Sequence, residues 1–233
     1  MEKIRINDRL LTAVPFVREG KSLADIGTDH AYLPIYLFQS GKISCAVAAD
    51  INRGPLDKAR ENIEKYGFEG EIKTILCDGL AKIDPDEVDD IAIFGMGGEL
   101  IVKIIDEAPW LKNASKRLIL QPMTHPEKLR EYLFQNGFNI LGESLSIDRG
   151  KIYQTICAEY DGVSRELDTL TLHFGKFILE EGGDLLIQLL DNSKKKILRK
   201  IEGKNAGGED ISYEKNLLVA IETYLRGDKN EYQ

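Results

Sequence analysis

Ser22-Leu23-Ala24-Asp25-Ile26-Gly27-Thr28-Asp29-His30-Ala31 reads as a short strand that stops at a glycine and turns directly into a helix. Gly27 permits positive φ and lets the backbone approach a ligand closely. The helix start that follows offers unpaired N–H groups suited to a carboxylate. Asp25 and Asp29 make the same turn acidic. An acid there repels a pyrophosphate and attracts a cation, and the dinucleotide fingerprint G-x-G-x-x-G is broken at position 29. A plainer reading of the turn has Asp29 capping the helix.

Working outward, short apolar runs alternate with helical periods through about the first 160 residues. Strands are expected at Ser22–Ile26, Cys45–Asp50, Ile72–Cys77, Asp90–Phe94 and Arg117–Gln121. Helices are expected at Ala31–Gln39, Pro55–Tyr66, Glu99–Glu107 and Pro126–Asn136. Strict alternation implies βαβ units and a parallel sheet covered on both faces. The pattern then breaks. Phe138–Ile147 and Lys151–Glu159 are strand-like with only Asp148-Arg149-Gly150 between them, which is a hairpin signal. A five-stranded parallel sheet ending in an antiparallel hairpin resembles the α/β, Rossmann-like fold of class I methyltransferases. That resemblance implies S-adenosyl-L-methionine, whose carboxylate and sulfonium suit the first turn.

In an open α/β sheet, ligands lie beyond the carboxyl ends of the strands. The second strand ends in Asp50-Ile51, where an acid can accept both hydroxyls of a ribose; capping the next helix is the alternative. The third ends in Asp78-Gly79, suited to an adenine edge or simply to a turn. The fourth ends in Gly95-Met96-Gly97-Gly98, expected to be a flexible loop poor in side chains, and the fifth in Gln121-Pro122-Met123. His30 and His125 are potential acid–base groups but stand at helix starts, where capping or packing is the commoner role. Arg5 and Arg9 precede the first strand, either closing over the cofactor or standing as solvated charges.

After Asp161-Gly162 no alternating run remains. Leu167, Leu170, Phe174, Phe177 and Ile178 fall at helical spacing, as do Leu186, Leu189, Leu190, Ile197, Leu198 and Ile201, then Leu217, Leu218, Ile221 and Leu225. Three helices are expected, separated at Gly182-Gly183 and at residues 204–208, with the last two forming a coiled-coil-like pair. The chain therefore divides into a cofactor-binding domain over 1–161 and a helical substrate-binding domain over 162–233. Lys194, Lys195, Lys196, Arg199 and Lys200 could track a phosphate backbone, although such a run is often only a solvated face.

The 233 residues carry a net charge of −8, which argues against a surface coated for nucleic acid but leaves room for a local basic patch. No uninterrupted apolar run long enough to span a bilayer is present, nor is a secretory signal. Cys45, Cys77 and Cys157 lie in strand-like runs and are expected to be buried, reduced thiols. No metal-ligand spacing occurs, and a cytoplasmic monomer is expected.

The string Asp25-Ile26-Gly27-Thr28-Asp29-His30-Ala31-Tyr32-Leu33-Pro34, with Gly95-Met96-Gly97-Gly98 and Leu120-Gln121-Pro122, resembles the bacterial tRNA (adenine-22-N1)-methyltransferases, the TrmK family. The resemblance extends over nearly the whole chain. It implies methyl transfer from S-adenosyl-L-methionine to N1 of an adenine in the D-arm region of tRNA. It implies a cofactor site at Asp25, Gly27, Asp29, His30, Asp50, Asp78, Gly79 and Gly95, to which the reading of the strand ends adds Arg9, Thr28, Ile51 and Met96. Among these residues Asp29 is expected near the reacting methyl, with the backbone of Met96 and Gly97 orienting the base. The Asn-Pro-Pro-Tyr type of motif is missing, and the usual grip on an exocyclic amine with it; a ring-nitrogen target fits that departure. Taken alone, the residues leave open a small-molecule methyltransferase or a non-catalytic cofactor-binding interaction protein.

Overall fold

A computed structural model describes residues 3–227. The chain divides into two compact units, Met1–Glu166 and Leu167–Gln233.

The first unit is built on one seven-stranded sheet. Its strands are β1 (Lys21–Ile26), β2 (Ile43–Asp50), β3 (Ile72–Leu76), β4 (Asp90–Met96), β5 (Arg117–Pro122), β6 (Phe138–Asp148) and β7 (Lys151–Tyr160). The order is β3-β2-β1-β4-β5-β7-β6. The first five strands pair in parallel, while β7 runs antiparallel to both β5 and β6. The helices are α1 (Asp8–Leu11), α2 (Tyr32–Gln39), α3 (Arg53–Tyr66), α4 (Gly98–Asp106) and α5 (Pro126–Gln135). α2 packs with α3 and α4 with α5. Right-handed crossovers put these pairs on opposite faces, because the chain moves outward from β1 in one direction and then returns to its other side. Ala24, Ala48 and Ala92 on the central strands are fully buried and let the helices approach.

The hairpin closes in a tight turn. Asp148 pairs with Lys151, and both residues between them, Arg149 (φ 49°) and Gly150 (φ 76°), are left-handed. That is the geometry whose twist matches antiparallel strands. A bulge in β6 leaves Leu141 unpaired and exposed. A Cβ on the next residue, Gly142, would stand 2.8 Å from the Phe16 ring. The missing side chain thus makes room for the N-terminal segment. Its Ile4, Ala13 and Val17 join the core, and its Arg18 pairs with the fully buried Asp90 at 2.6 Å.

The second unit holds α6 (Thr169–Phe174), α7 (Lys176–Glu181), α8 (Asp184–Gly207) and α9 (Ser212–Arg226). Two expectations need correction. The first of the three expected helices is broken at Gly175 (φ 84°), a backbone conformation no helix interior adopts. Residues 204–207, expected as a separator, form the last turn of α8, which ends on left-handed Gly208. The expected pairing of the last two helices is present. Leu186, Leu190, Ile197, Leu217 and Ile221 are buried, and the pairs Lys194–Glu222 (2.6 Å), Lys200–Glu214 (2.8 Å) and Lys204–Glu214 (2.9 Å) run in antiparallel order. The expectation of three buried thiols fails at Cys45, which is exposed together with Ser44 near the start of β2, while Cys77 and Cys157 are buried. Among the described residues, no helix is long and apolar enough to cross a membrane.

The hairpin is joined to α5 by a buried polar network. Arg130 Nε donates to Glu143 Oε1 at 2.7 Å and Arg130 Nη2 to Gln154 Oε1 at 2.6 Å, with the Arg130 and Glu143 side chains 0% and 1% exposed. Removing one partner of such a pair leaves an uncompensated buried charge. Arg130→Ala should lower the unfolding free energy in urea by about 3–5 kcal/mol, and an Arg130→Met/Glu143→Leu double variant should regain most of it.

Candidate active site

The carboxyl ends of the parallel strands are level. Ile26 pairs with Ala49 and Ile93, Ala49 with Ile75, and Ile93 with Leu120. Nearly every strand-end residue singled out in the sequence follows this row within a few positions, so all lie along one edge of the sheet. β1 and β4 are neighbours whose connections leave in opposite directions, and a crevice opens between such loops.

Backbone hydrogen bonds tie the first loop to β2: the amides of Gly27 and Thr28 both donate to the Ala49 carbonyl, at 2.8 and 2.9 Å. Gly27 has φ 72°, and a Cβ there would stand 2.3 Å from the Met96 methyl, so Met96 reaches across from β4 and lies over the glycine. The loop then passes through two consecutive left-handed residues, His30 (φ 61°) and Ala31 (φ 57°), at a cost of order 1–3 kcal/mol each. Asn62 Nδ2 of α3 donates to the His30 carbonyl at 2.9 Å, and the Tyr32 hydroxyl lies 3.2 Å from His30 Nδ1. Ala31, not Asp29, stands at the start of α2, without a side-chain cap. The capping reading of Asp29 therefore fails. Its side chain is 71% exposed and lies 3.5 Å from His30 Nε2.

Asp25 is buried, and its Oδ2 accepts from the Thr28 hydroxyl at 2.6 Å. Burial pushes its pKa from the ordinary 3.8 to about 6; the Thr28 hydroxyl opposes the rise, and the Asp29 and Asp50 carboxylates add to it. The three acids therefore share one electrostatic environment. Asp50 Oδ1 accepts from the Asn52 amide at 2.7 Å, and Asn52, without a side-chain bond, starts α3. Asp50 is thus not the cap. Ile51 beside it is 59% exposed, an apolar surface suited to a flat ring. Asp78 is exposed, and Gly79 (φ 51°) packs on Ile104.

The expected loop Gly95–Gly98 is instead a tight junction. β4 runs through Met96 with a bulge at Gly95 (φ 76°), and α4 begins at Gly98. The Gly98 amide donates to the Thr124 carbonyl at 2.8 Å and the Met123 amide to the Met96 carbonyl at 2.7 Å. A Cβ at Gly98 would sit 2.3 Å from the His125 carbonyl oxygen, so only glycine lets the two chain segments close together. His125 starts α5 with φ 53° and faces Glu127 at 3.1 Å.

Several contacts at this edge leave no sequence signal. Arg9 Nη1 donates to the Oε1 of fully buried Gln121 at 3.0 Å, and its guanidinium lies 5.9 Å from the centre of the Tyr153 ring. Thr12 and Thr155 share a hydroxyl hydrogen bond of 2.6 Å. Only the fold brings these residues together. Among the described residues, no group of three His, Cys, Asp or Glu side chains could hold a metal ion. The acids at the ends of β1 and β2, Asp25, Asp29 and Asp50, fit a ligand with a cationic centre. In the second unit the cation run is partly neutralised: Lys194 and Lys200 pair with Glu222 and Glu214, while Lys195, Lys196 and Arg199 are exposed.

Residues 6–156 match a family model described as a methyltransferase domain. The chain is 36% identical over 188 residues to the tRNA (adenine(22)-N(1))-methyltransferase of Bacillus subtilis (strain 168), covering 78% of each. Streptococcus pneumoniae Sp1610, solved in complex with S-adenosyl-L-methionine, superposes with a TM-score of 0.81 at 34% identity, over 92% of this chain and 100% of that one. M. capricolum TrmK, solved in complex with S-adenosyl-homocysteine, gives a TM-score of 0.79 at 29% identity, over 95% and 98%.

The raised Asp25 pKa has a stability consequence. Between about pH 4 and pH 6 the folded state keeps a proton that the unfolded chain has lost, so stability falls as pH rises through that window and the penalty is complete above it. In the ligand-free protein, Asp25→Asn should be more stable than the parent at pH 7.5 by about 1–3 kcal/mol, and the gap should close near about pH 3.5, as read by chemical denaturation at both values.

Proposed function

The chain belongs to the bacterial tRNA (adenine(22)-N(1))-methyltransferase family, and from that premise we propose that it methylates N1 of adenine 22, in the D-arm region of tRNA, using S-adenosyl-L-methionine. The observation that carries this reading is the acidic cluster at the ends of β1 and β2, where the Asp29 and Asp50 carboxylates both act on buried Asp25. Such a cluster favours a cationic ligand and opposes a pyrophosphate. We take the enzyme to act as a cytoplasmic monomer without a metal.

When bound, S-adenosyl-L-methionine supplies an electrophilic methyl group on a sulfonium. The chain's own residues have three tasks. Asp50 accepts the ribose hydroxyls through carboxylate lone pairs that the Asn52 amide leaves open. The start of α2 receives the carboxylate, while Asp25 and exposed Asp29 act on the cationic end. The backbone of Met96 and Gly97, held by the Thr124 and Met123 bonds, orients the acceptor base. Adenine N1 attacks with its own lone pair, so no general base is needed and positioning does most of the work. The product ring carries a positive charge, which Asp29 favours. N1 lies on the pairing edge, so the base must be unpaired or flipped out of its stack. Lys195, Lys196 and Arg199 of α8 offer phosphate contacts from the helical unit.

Incubation with isotopically labelled S-adenosyl-L-methionine and tRNA lacking the modification, followed by nucleoside analysis, should yield labelled 1-methyladenosine. Asp50→Ala should cut kcat/KM by about 10–100-fold, the worth of a lost charge-assisted hydrogen bond, and Asp29→Ala by at least as much. Absence of label in tRNA would refute the activity; full activity of both folded variants would refute the site.

A further inference from the structure

Arg9 of α1 is held by a closed ring of hydrogen bonds whose direction is fixed by proton count. Thr12 Oγ1 donates to the Arg9 carbonyl at 2.7 Å, which uses its one proton, so the Thr155 hydroxyl donates across the 2.6 Å contact between the two threonines. Thr155 Oγ1 then accepts from Gln121 Nε2 at 3.4 Å, and the same nitrogen donates to the Arg9 carbonyl at 3.4 Å. This sets the amide of fully buried Gln121 with Oε1 towards the guanidinium, where Arg9 Nη1 donates at 3.0 Å. The Tyr153 ring lies 5.9 Å from the guanidinium carbon. Both ends of the arginine, its carbonyl and its guanidinium, are thus tied to one buried amide.

The guanidinium stands on the methyl-accepting side of the site. A Cβ on Gly95 would come 3.4 Å from Arg9 Nη1, and Gly95 is an exposed, left-handed bulge one residue before Met96. Gln121 belongs to the end of β5, which lies on the far side of β4 from β1 and its acids. Nη1 carries the bond to Gln121; among the described residues, Nε and Nη2 make no hydrogen bond. These two nitrogens share one edge of the guanidinium, the edge whose parallel N–H groups match two oxygens of a phosphate.

On the tRNA reading above, we propose that Arg9 grips a phosphate flanking the target adenosine and so sets the base against Met96 and Gly97. The charge balance of the reaction selects this anion. Methyl transfer moves positive charge from the sulfonium onto the adenine ring, and a bare guanidinium beside that ring opposes the change. A phosphodiester neutralises the guanidinium, and the target nucleotide carries one on each side of its ribose. Gln121 is the positioning residue that aims the free edge.

The test uses the full chain and tRNA transcripts with an uncharged methylphosphonate in place of one or the other phosphate flanking adenine 22. Arg9→Gln should lower kcat/KM for the unmodified transcript by about 10–100-fold, the worth of charge-assisted hydrogen bonds. Its affinity for S-adenosyl-homocysteine, read by calorimetry, should equal the parent's, which also verifies folding. At one of the two positions the methylphosphonate should cost the parent a comparable factor and cost Arg9→Gln nothing further. Arg9→Lys, which keeps the charge without the fork, should fall between the parent and Arg9→Gln. Full activity of Arg9→Gln, or losses that multiply at both positions, would overturn the phosphate contact and leave tRNA methylation standing. A parallel loss of S-adenosyl-homocysteine affinity would give Arg9 to the cofactor and overturn it too. A parent that does not methylate tRNA would overturn the tRNA reading and the contact together.

Discussion

Two parallel strands that lie side by side but send their chains in opposite directions govern this molecule. β1 continues through α2 towards β2, and β4 continues through α4 towards β5. The loops at their carboxyl ends must part, and a crevice lined by both is unavoidable. Its floor is set by one contact, the Met96 methyl lying over Gly27. Its walls are pinned by backbone bonds, from Gly27 and Thr28 to Ala49 on one side and from Gly98 to Thr124 on the other. Left-handed residues bound the same loops, Gly27, His30 and Ala31 after β1 and Gly95 and His125 on the other side.

Charge is distributed to match. Asp25 stays buried although its ionised form is penalised there, and Asp29 and Asp50 stand near enough to make the penalty larger. A fold selected for stability alone would not gather three carboxylates in this way. A bound cationic centre offsets their repulsion. Positive charge stands apart from these acids, with Arg9 held against Gln121 of β5.

Much of this was legible in the residue order. The alternation of strand and helix, and its break at Asp148-Arg149-Gly150, carry the sheet and its antiparallel end because period and turn chemistry are local properties. The five strand ends, with their acids and glycines, could be placed for the same reason. What escaped was non-local or a matter of one dihedral angle. Asn62 shows no sign of its bond to His30, since it stands 32 residues away along the chain. Gly175 interrupts a run whose apolar spacing continues across it, so periodicity hid the break. Residues 204–207 look like a linker by composition but form the last turn of α8, where Lys204 pairs with Glu214 of α9. Lys194 and Lys200 read as free cations until the antiparallel packing of α8 and α9 supplied Glu222 and Glu214.

In the proposed mechanism the crevice presents an adenine N1 lone pair to the cofactor's methyl group with no proton removed beforehand. Replacing adenine 22 of a tRNA transcript with 1-deazaadenine deletes that one nitrogen and leaves shape and phosphates intact. The modified tRNA should bind like the natural transcript and accept no methyl group at that residue. Methyl incorporation there, at any atom, would contradict that mechanism.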